Sequence, residues 1–331
     1  MICNLNYTQA QSRDIFTTIS LDAVRDWIDA LKLTPSQREA MVYCHELSYE
    51  IDIIQGPSET DKSHWCTEMI WSFLHSDDNE LHQVLVIIFT NDTVDELVEK
   101  IETSVLKNPQ TEDKIIIHLH VIFSEQNIIW NKVKGPCDPL SLIINEDELD
   151  VLAEFDIVKT IYEVYKSTNQ SKSIVMNKRV QLIEHSLTTW MLQVTDMIPH
   201  PVSDPDSWKG FWEYYNLYSE DDMNATQQIE FRKILTNLQE HVLHAVFVVV
   251  CIINNTGTAK LFTVFRLTVI FMNEVTKIIK PNVIITLTHY ASASVVMIED
   301  HKQLKPIVLS CEGLSEQFVA QMIMSFFTWL V

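Results

Sequence analysis

Five glycines in 331 residues constrain this chain more than any motif it carries. At an average usage of about 7%, a chain of this length holds roughly 23. Phosphate-cradling loops, nucleophile elbows and dinucleotide fingerprints draw on glycine, because a residue without Cβ takes φ > 0 freely and lets the backbone approach a ligand. Gly56, Gly135, Gly210, Gly257 and Gly313 stand far apart, and each reads as a turn, a unit's end or the start of a helix. Most nucleotide and hydrolase chemistries are set aside on this ground, and no cofactor is expected.

The formal net charge is −21, from 45 acidic and 24 basic side chains. Most of it lies in residues 1–170, with 30 acidic and 12 basic residues against 15 and 12 in the remainder. Such a field repels phosphate backbones, so nucleic acid is not an expected partner. Hydrophobic residues make up 47% of the chain, enough to bury a substantial core. Cys3, Cys44, Cys66, Cys137, Cys251 and Cys311 occur singly, the pattern of reduced thiols in a cytoplasmic protein. No signal peptide is visible. The longest apolar stretch, Val242 to Ile253, contains His244 and falls short of the ~18–20 residues of a membrane span.

Apolar spacing predicts helices from Leu21 to about Ile54, with Thr34 capping the second of them, and Gly56-Pro57 ending the unit. Residues 64–75 read as helix or strand. Val84–Phe89 reads as a buried strand, residues 92–107 as an amphipathic helix capped by Asn91/Asp92, and Ile115–Phe123 as another strand. Short strands are expected at 128–133 and 140–144, then helices at 148–167 and 174–198. Three prolines between Pro199 and Pro205 rule out regular structure there. The final third reads as a helix 226–241, a strand 245–253, a hairpin turn at Asn254-Asn255-Thr256-Gly257 and a return strand 261–265. A helix from Leu267, stopped by Pro281, follows. Strands 283–289, 294–298 and 307–310 and an amphipathic helix 315–330 complete the chain.

That last order of elements, carried by the Asn254–Gly257 hairpin, the helix before Pro281 and the three following strands, resembles the roadblock domain, a relative of the longin domain. Residues 64–166 resemble a longin domain more weakly. The resemblance implies an α+β fold with antiparallel five-stranded sheets flanked by helices. The domains would be an N-terminal helical segment (1–60), a longin-like unit with trailing helices (61–198), a proline- and aromatic-rich linker (199–224) and a roadblock-like unit (225–331). It also implies a non-catalytic platform that binds small GTPases or assembles complexes in vesicle traffic and signalling.

Two constellations stand out. His118 and His120 lie at i and i+2 of an expected strand and so face one side. The pair resembles the paired-histidine strand of HUH replication endonucleases, which would make them metal ligands of a nuclease or phosphoesterase. No acidic or basic motif completes that site, and a partly exposed sheet face explains the alternation equally. Trp208, Phe211, Trp212 and Tyr215 share one helical face and are candidates for protein contact, or for packing between the two domains. Phe326 and Phe327, on the amphipathic helix 315–330, are further contact candidates. The expectation is therefore a non-enzymatic cytoplasmic adaptor or scaffold subunit, forming a homo- or hetero-oligomer with another such module or a small GTPase. The alternatives are the His118/His120 nuclease and a viral structural or accessory protein.

Overall fold

Val84-Leu85-Val86-Ile87-Ile88 is apolar on both alternating faces, a pattern suited to a strand covered on both sides. The computed structural model describes residues 21–44, 51–56, 61–74, 83–105, 115–119, 185–201, 203–220, 222–257, 259–291 and 293–300, with 158–159, 161–163, 165–166, 306, 324–326 and 328. Within it, β2 (Gln83–Ile88) is buried at every position. It belongs to a six-stranded sheet with β1 (Ile51–Gln55), β3 (Ile115–Leu119), β4 (Val246–Ile252), β5 (Leu267–Asn273) and β6 (Ser294–Glu299), in the order β1-β6-β5-β2-β4-β3. The sheet is parallel.

Contacts divide the chain into two units, residues 1–116 with 246–331, and residues 117–245. The first is discontinuous in sequence. Its strands from the C-terminal third interleave with those from the N-terminal third, so β2 pairs with both β4 and β5. Gln83 ties this junction, donating from Nε2 to the Val246 carbonyl at 2.8 Å and accepting the Arg266 amide at Oε1. Helices α1 (Leu21–Ala30), α2 (Pro35–Cys44), α3 (Lys62–Leu74) and α4 (Asn91–Val105) supply Ile28, Met41, Trp65, Met69, Val94 and Leu97 to one core. Val84, Val86, Val250, Phe271 and Val296 of the sheet meet them there. Thr34 and Gln37 form a reciprocal cap at the start of α2, the Thr34 amide donating to Gln37 Oε1 at 2.8 Å.

In the second unit, α5 (Leu187–Val194), α6 (Lys209–Ser219) and α7 (Ala225–Ala245) are the helices of known extent. The proline-rich stretch between α5 and α6 is irregular wherever it is described. Asn224 and Gln227 cap α7 reciprocally at 2.9 and 3.0 Å.

The parallel sheet overturns the expected antiparallel roadblock/longin architecture. Of the expected 64–75 segment, residues 64–74 fall on α3, with the Trp65 indole donating to the Gln37 carbonyl at 2.9 Å. Residues 51–54, expected to end a helix, are strand β1. The Asn254–Gly257 segment is a 3₁₀ turn (Ile253–Gly257) leading into α8 (Ala259–Val264), not a hairpin. Its Thr256 is buried, shares a 2.7 Å hydroxyl contact with Thr286 and accepts the Tyr290 hydroxyl at its carbonyl. Leu267–Asn273 is a strand where a helix was expected. The β-branched run 283–289 lies in α9 (Lys280–His289), which Pro281 opens from its first turn instead of closing the preceding element. β2, α4, β3, β4 and β6 fall where expected, although Thr90, one residue earlier than expected, caps α4. The strands expected at 128–133, 140–144 and 307–310 lie outside the described residues, as does most of the helix expected at 315–330.

Phe271 has no exposed surface and sits on β5 between β2 and β6. Phe271→Ala should cost about 3–5 kcal/mol, read as a lowered midpoint in denaturant unfolding.

Candidate functional site

In a parallel sheet the loops after the strand ends gather on one edge, where α/β proteins bind ligands. The register aligns Gln55 of β1 with Glu299 of β6, and Ile298 with Asn273 of β5. One residue beyond β1, the Gly56 amide donates to the Glu299 carbonyl at 3.1 Å. Gly56, Glu299, Asp300 and the Asn273-Glu274 turn therefore meet at one edge.

The chain re-enters this edge at Asp61, which has φ 51. Asp and Asn are among the few side chains that tolerate this left-handed region. The Asp61 carbonyl accepts the Trp65 amide at 3.1 Å, so it begins the first turn of α3. Lys62 follows and bends back, its Nζ donating to the Gly56 carbonyl at 3.1 Å. Ser63 comes next, half-buried on the same turn. The first helical amides, which have no partner inside the helix, form an electropositive end suited to anions.

Facing Lys62 is Glu299, fully buried at the end of β6. Its Oε1 accepts the Asp300 amide at 2.8 Å. Its Oε2 makes no hydrogen bond of standard geometry. Burial pushes its pKa above the usual carboxylate range, and Glu274 adds to that; the Asp300 amide, Lys62 and Thr276 draw it back. Glu274 is itself left-handed, at φ 60, and pairs with Lys277 at 2.9 Å. A cavity of about 50 Å³ adjoins them, lined by Ser63, Ile88, Thr93, Glu96, Asn273 and Glu274. Asp61 and Glu274 are two of three non-glycine residues with positive φ among the described residues, and such conformations concentrate at functional sites.

None of these residues was a candidate from sequence, although the signal was present. Gly56-Pro57-Ser58-Glu59-Thr60-Asp61-Lys62-Ser63 differs from the phosphate-loop pattern Gly-x4-Gly-Lys-Ser/Thr at a single position, where Asp61 replaces the second glycine. Counting glycines hid it, because the left-handed position is held by aspartate. Val295-Val296-Met297-Ile298-Glu299-Asp300, an apolar strand ending in two acids, is the second half of the signal.

The expected candidates lie elsewhere. His118 is 1% exposed in β3, so it lines no open cleft. His120 lies outside the described residues. Among the described residues no group of three or more His, Cys, Asp or Glu is placed to hold a metal by itself. Phe211 and Tyr215 are buried in the second unit, Phe211 5.6 Å from Phe231 of α7. Trp212 donates from its indole to the Thr195 carbonyl at 2.9 Å, and Trp208 lies edge-on to His241 at 5.4 Å. Phe326 is buried and Phe327 is not described. Among the described residues no helix is long and apolar enough to cross a membrane.

Because the native pKa of Glu299 is raised, its folded form binds a proton more tightly than the unfolded chain does. Its contribution to stability is complete below the unfolded value of about 4.3 and is lost as pH rises through the native value. Glu299→Gln keeps an acceptor for the Asp300 amide and removes that titration. Its stability relative to wild type should rise from pH 4 to pH 8, read from urea midpoints of both proteins. A constant difference across that range would contradict the assignment.

A model of the AAA domain matches residues 32–311. No curated protein matches the chain. The family match corrects the roadblock/longin resemblance and, with it, the expectations of a non-enzymatic adaptor, of an HUH-type nuclease and of a viral structural protein. It spans β1 to β6, including both halves of the site at Gly56–Ser63 and Glu299–Asp300. With most of its length matched and its sheet parallel, the chain belongs to the AAA domain family.

Proposed function

We propose that this chain is an ATP-dependent, helicase-like NTPase whose nucleotide phosphates are held between β1 and the first turn of α3. One observation carries the reading. Lys62 and Ser63 open a helix directly after a parallel strand, and the neighbouring strand ends in the buried Glu299 and Asp300 at the same level. In this reading Lys62 leaves the Gly56 carbonyl to contact the β- and γ-phosphates, while the amides of the first turn of α3 bind the phosphate oxygens.

The donors suit magnesium, a hard cation that takes oxygen ligands and keeps part of its water shell. The Ser63 hydroxyl and the Asp300 carboxylate are of that kind. When bound with nucleotide at these residues, the ion would supply positive charge to offset that of the phosphates. Glu299 has a separate task. In this reading its Oε2, which makes no hydrogen bond of standard geometry, accepts a proton from the attacking water, and its raised pKa brings it nearer to that of an effective base.

The buried thiols of Cys66 and Cys251, pushed up to about 12 by burial, and of Cys44, pushed equally far by burial and by Asp52, are unreactive. They suit a reducing cytoplasmic setting.

Lys62→Ala should lower MgATP affinity and steady-state phosphate release by about a hundredfold. Melting temperatures serve as the folding control, because Lys62→Ala also removes the hydrogen bond to the Gly56 carbonyl and the positive charge near the buried Glu299. Calorimetric titration and a phosphate-release assay on the same preparations check both. Unchanged binding in a folded Lys62→Ala protein would refute the assignment of the site.

A further inference from the structure

We propose that Asp61 is a built-in electrostatic brake on this site, lowering its affinity for nucleoside triphosphates through the charge of its carboxylate; this rests on the reading of the Gly56–Ser63 segment as the phosphate loop. Two properties usually found together in the loop's second glycine are separated here. The backbone conformation is retained, since Asp61 has φ 51 and its carbonyl takes the first helical hydrogen bond of α3. The freedom from side-chain charge is lost. An exposed carboxylate stands one residue before Lys62, at the helix end where anions are attracted.

The brake acts in two ways. The carboxylate is an intramolecular anion at the positive end of α3, so it competes for the same field that would hold a phosphate. It also repels an incoming triphosphate directly, and because the carboxylate is exposed this repulsion weakens as salt rises. Lys62, already engaged by the Gly56 carbonyl and attracted by Glu299, is the cation whose field Asp61 opposes. The interaction of an exposed charge with a neighbouring charge, and with a helix end, is typically worth up to about fivefold each in affinity.

The test separates charge from shape. Asp61→Asn keeps Cβ, size and tolerance of the left-handed region while removing the charge. Asp61→Gly removes the side chain altogether and accepts the same φ. MgATP affinity is measured by calorimetry on the full chain for wild type, both variants and each variant combined with Lys62→Ala, with melting temperatures as a folding control. Both single variants should bind about tenfold more tightly, with a gain that shrinks as salt rises and that persists, from a weaker starting affinity, in the Lys62→Ala background. If neither variant binds more tightly than wild type while Lys62 still matters, the brake is refuted. A gain in Asp61→Gly alone would also refute it, since the obstruction would then be steric. If Lys62→Ala changes nothing in any background, the failure belongs to the phosphate-loop assignment instead.

Discussion

Burial of the central strands on both faces is the constraint on which the rest of the first unit depends. β2 and β6 have no exposed position, and β5 is buried from Val269 to Asn273. A strand covered on both sides cannot alternate polar and apolar residues, and it favours parallel neighbours with helices across the faces. Parallel pairing then aligns the strand ends. That alignment brings Gly56 to Glu299 through a 3.1 Å backbone bond although 243 positions separate them in the numbering.

The site follows from this alignment with few additional parts. A left-handed residue turns the chain into α3, a lysine folds back over the glycine that ends β1, and a buried carboxyl closes the opposite side. The opposing charges at this edge are unevenly solvated. Glu299 is fully buried, Lys62 half-buried and Asp61 exposed. Burial therefore perturbs the first, while the last acts through its position beside the loop. The acidic balance of the N-terminal half, which argued against phosphate ligands in general, does not override a local arrangement of helix end and lysine within a few ångströms.

Single elements were more legible than their pairing. The run Val84–Ile88 and the helix after Thr90 are recognisable because composition and period agree. The helix expected from Leu267 to Pro281 begins instead as strand β5, because a short apolar run fits both periods. The segment 283–289 reads as a strand because its β-branched residues favour one. There the environment prevails, with Val283 and Thr286 buried at helical spacing and Ile284 and Ile285 exposed at 50% and 46%. The hairpin expected at Asn254–Gly257 assumed that β4 and the next strand were neighbours. β2, from much earlier in the chain, lies between β4 and β5.

Sequence alone determined the presence of a large apolar core, several of its strands and helices, and the irregular proline segment, since these depend on composition and local spacing. It also held the Gly56–Ser63 and Ile298–Asp300 signals, which glycine counting passed over because the rule concerns residue type whereas the loop requires a φ angle. Tertiary structure alone decided the strand order, the approach of Gly56 to Glu299 and the conformation of Asp61. Those depend on contacts between distant segments, and no local period encodes which distant strand will supply them.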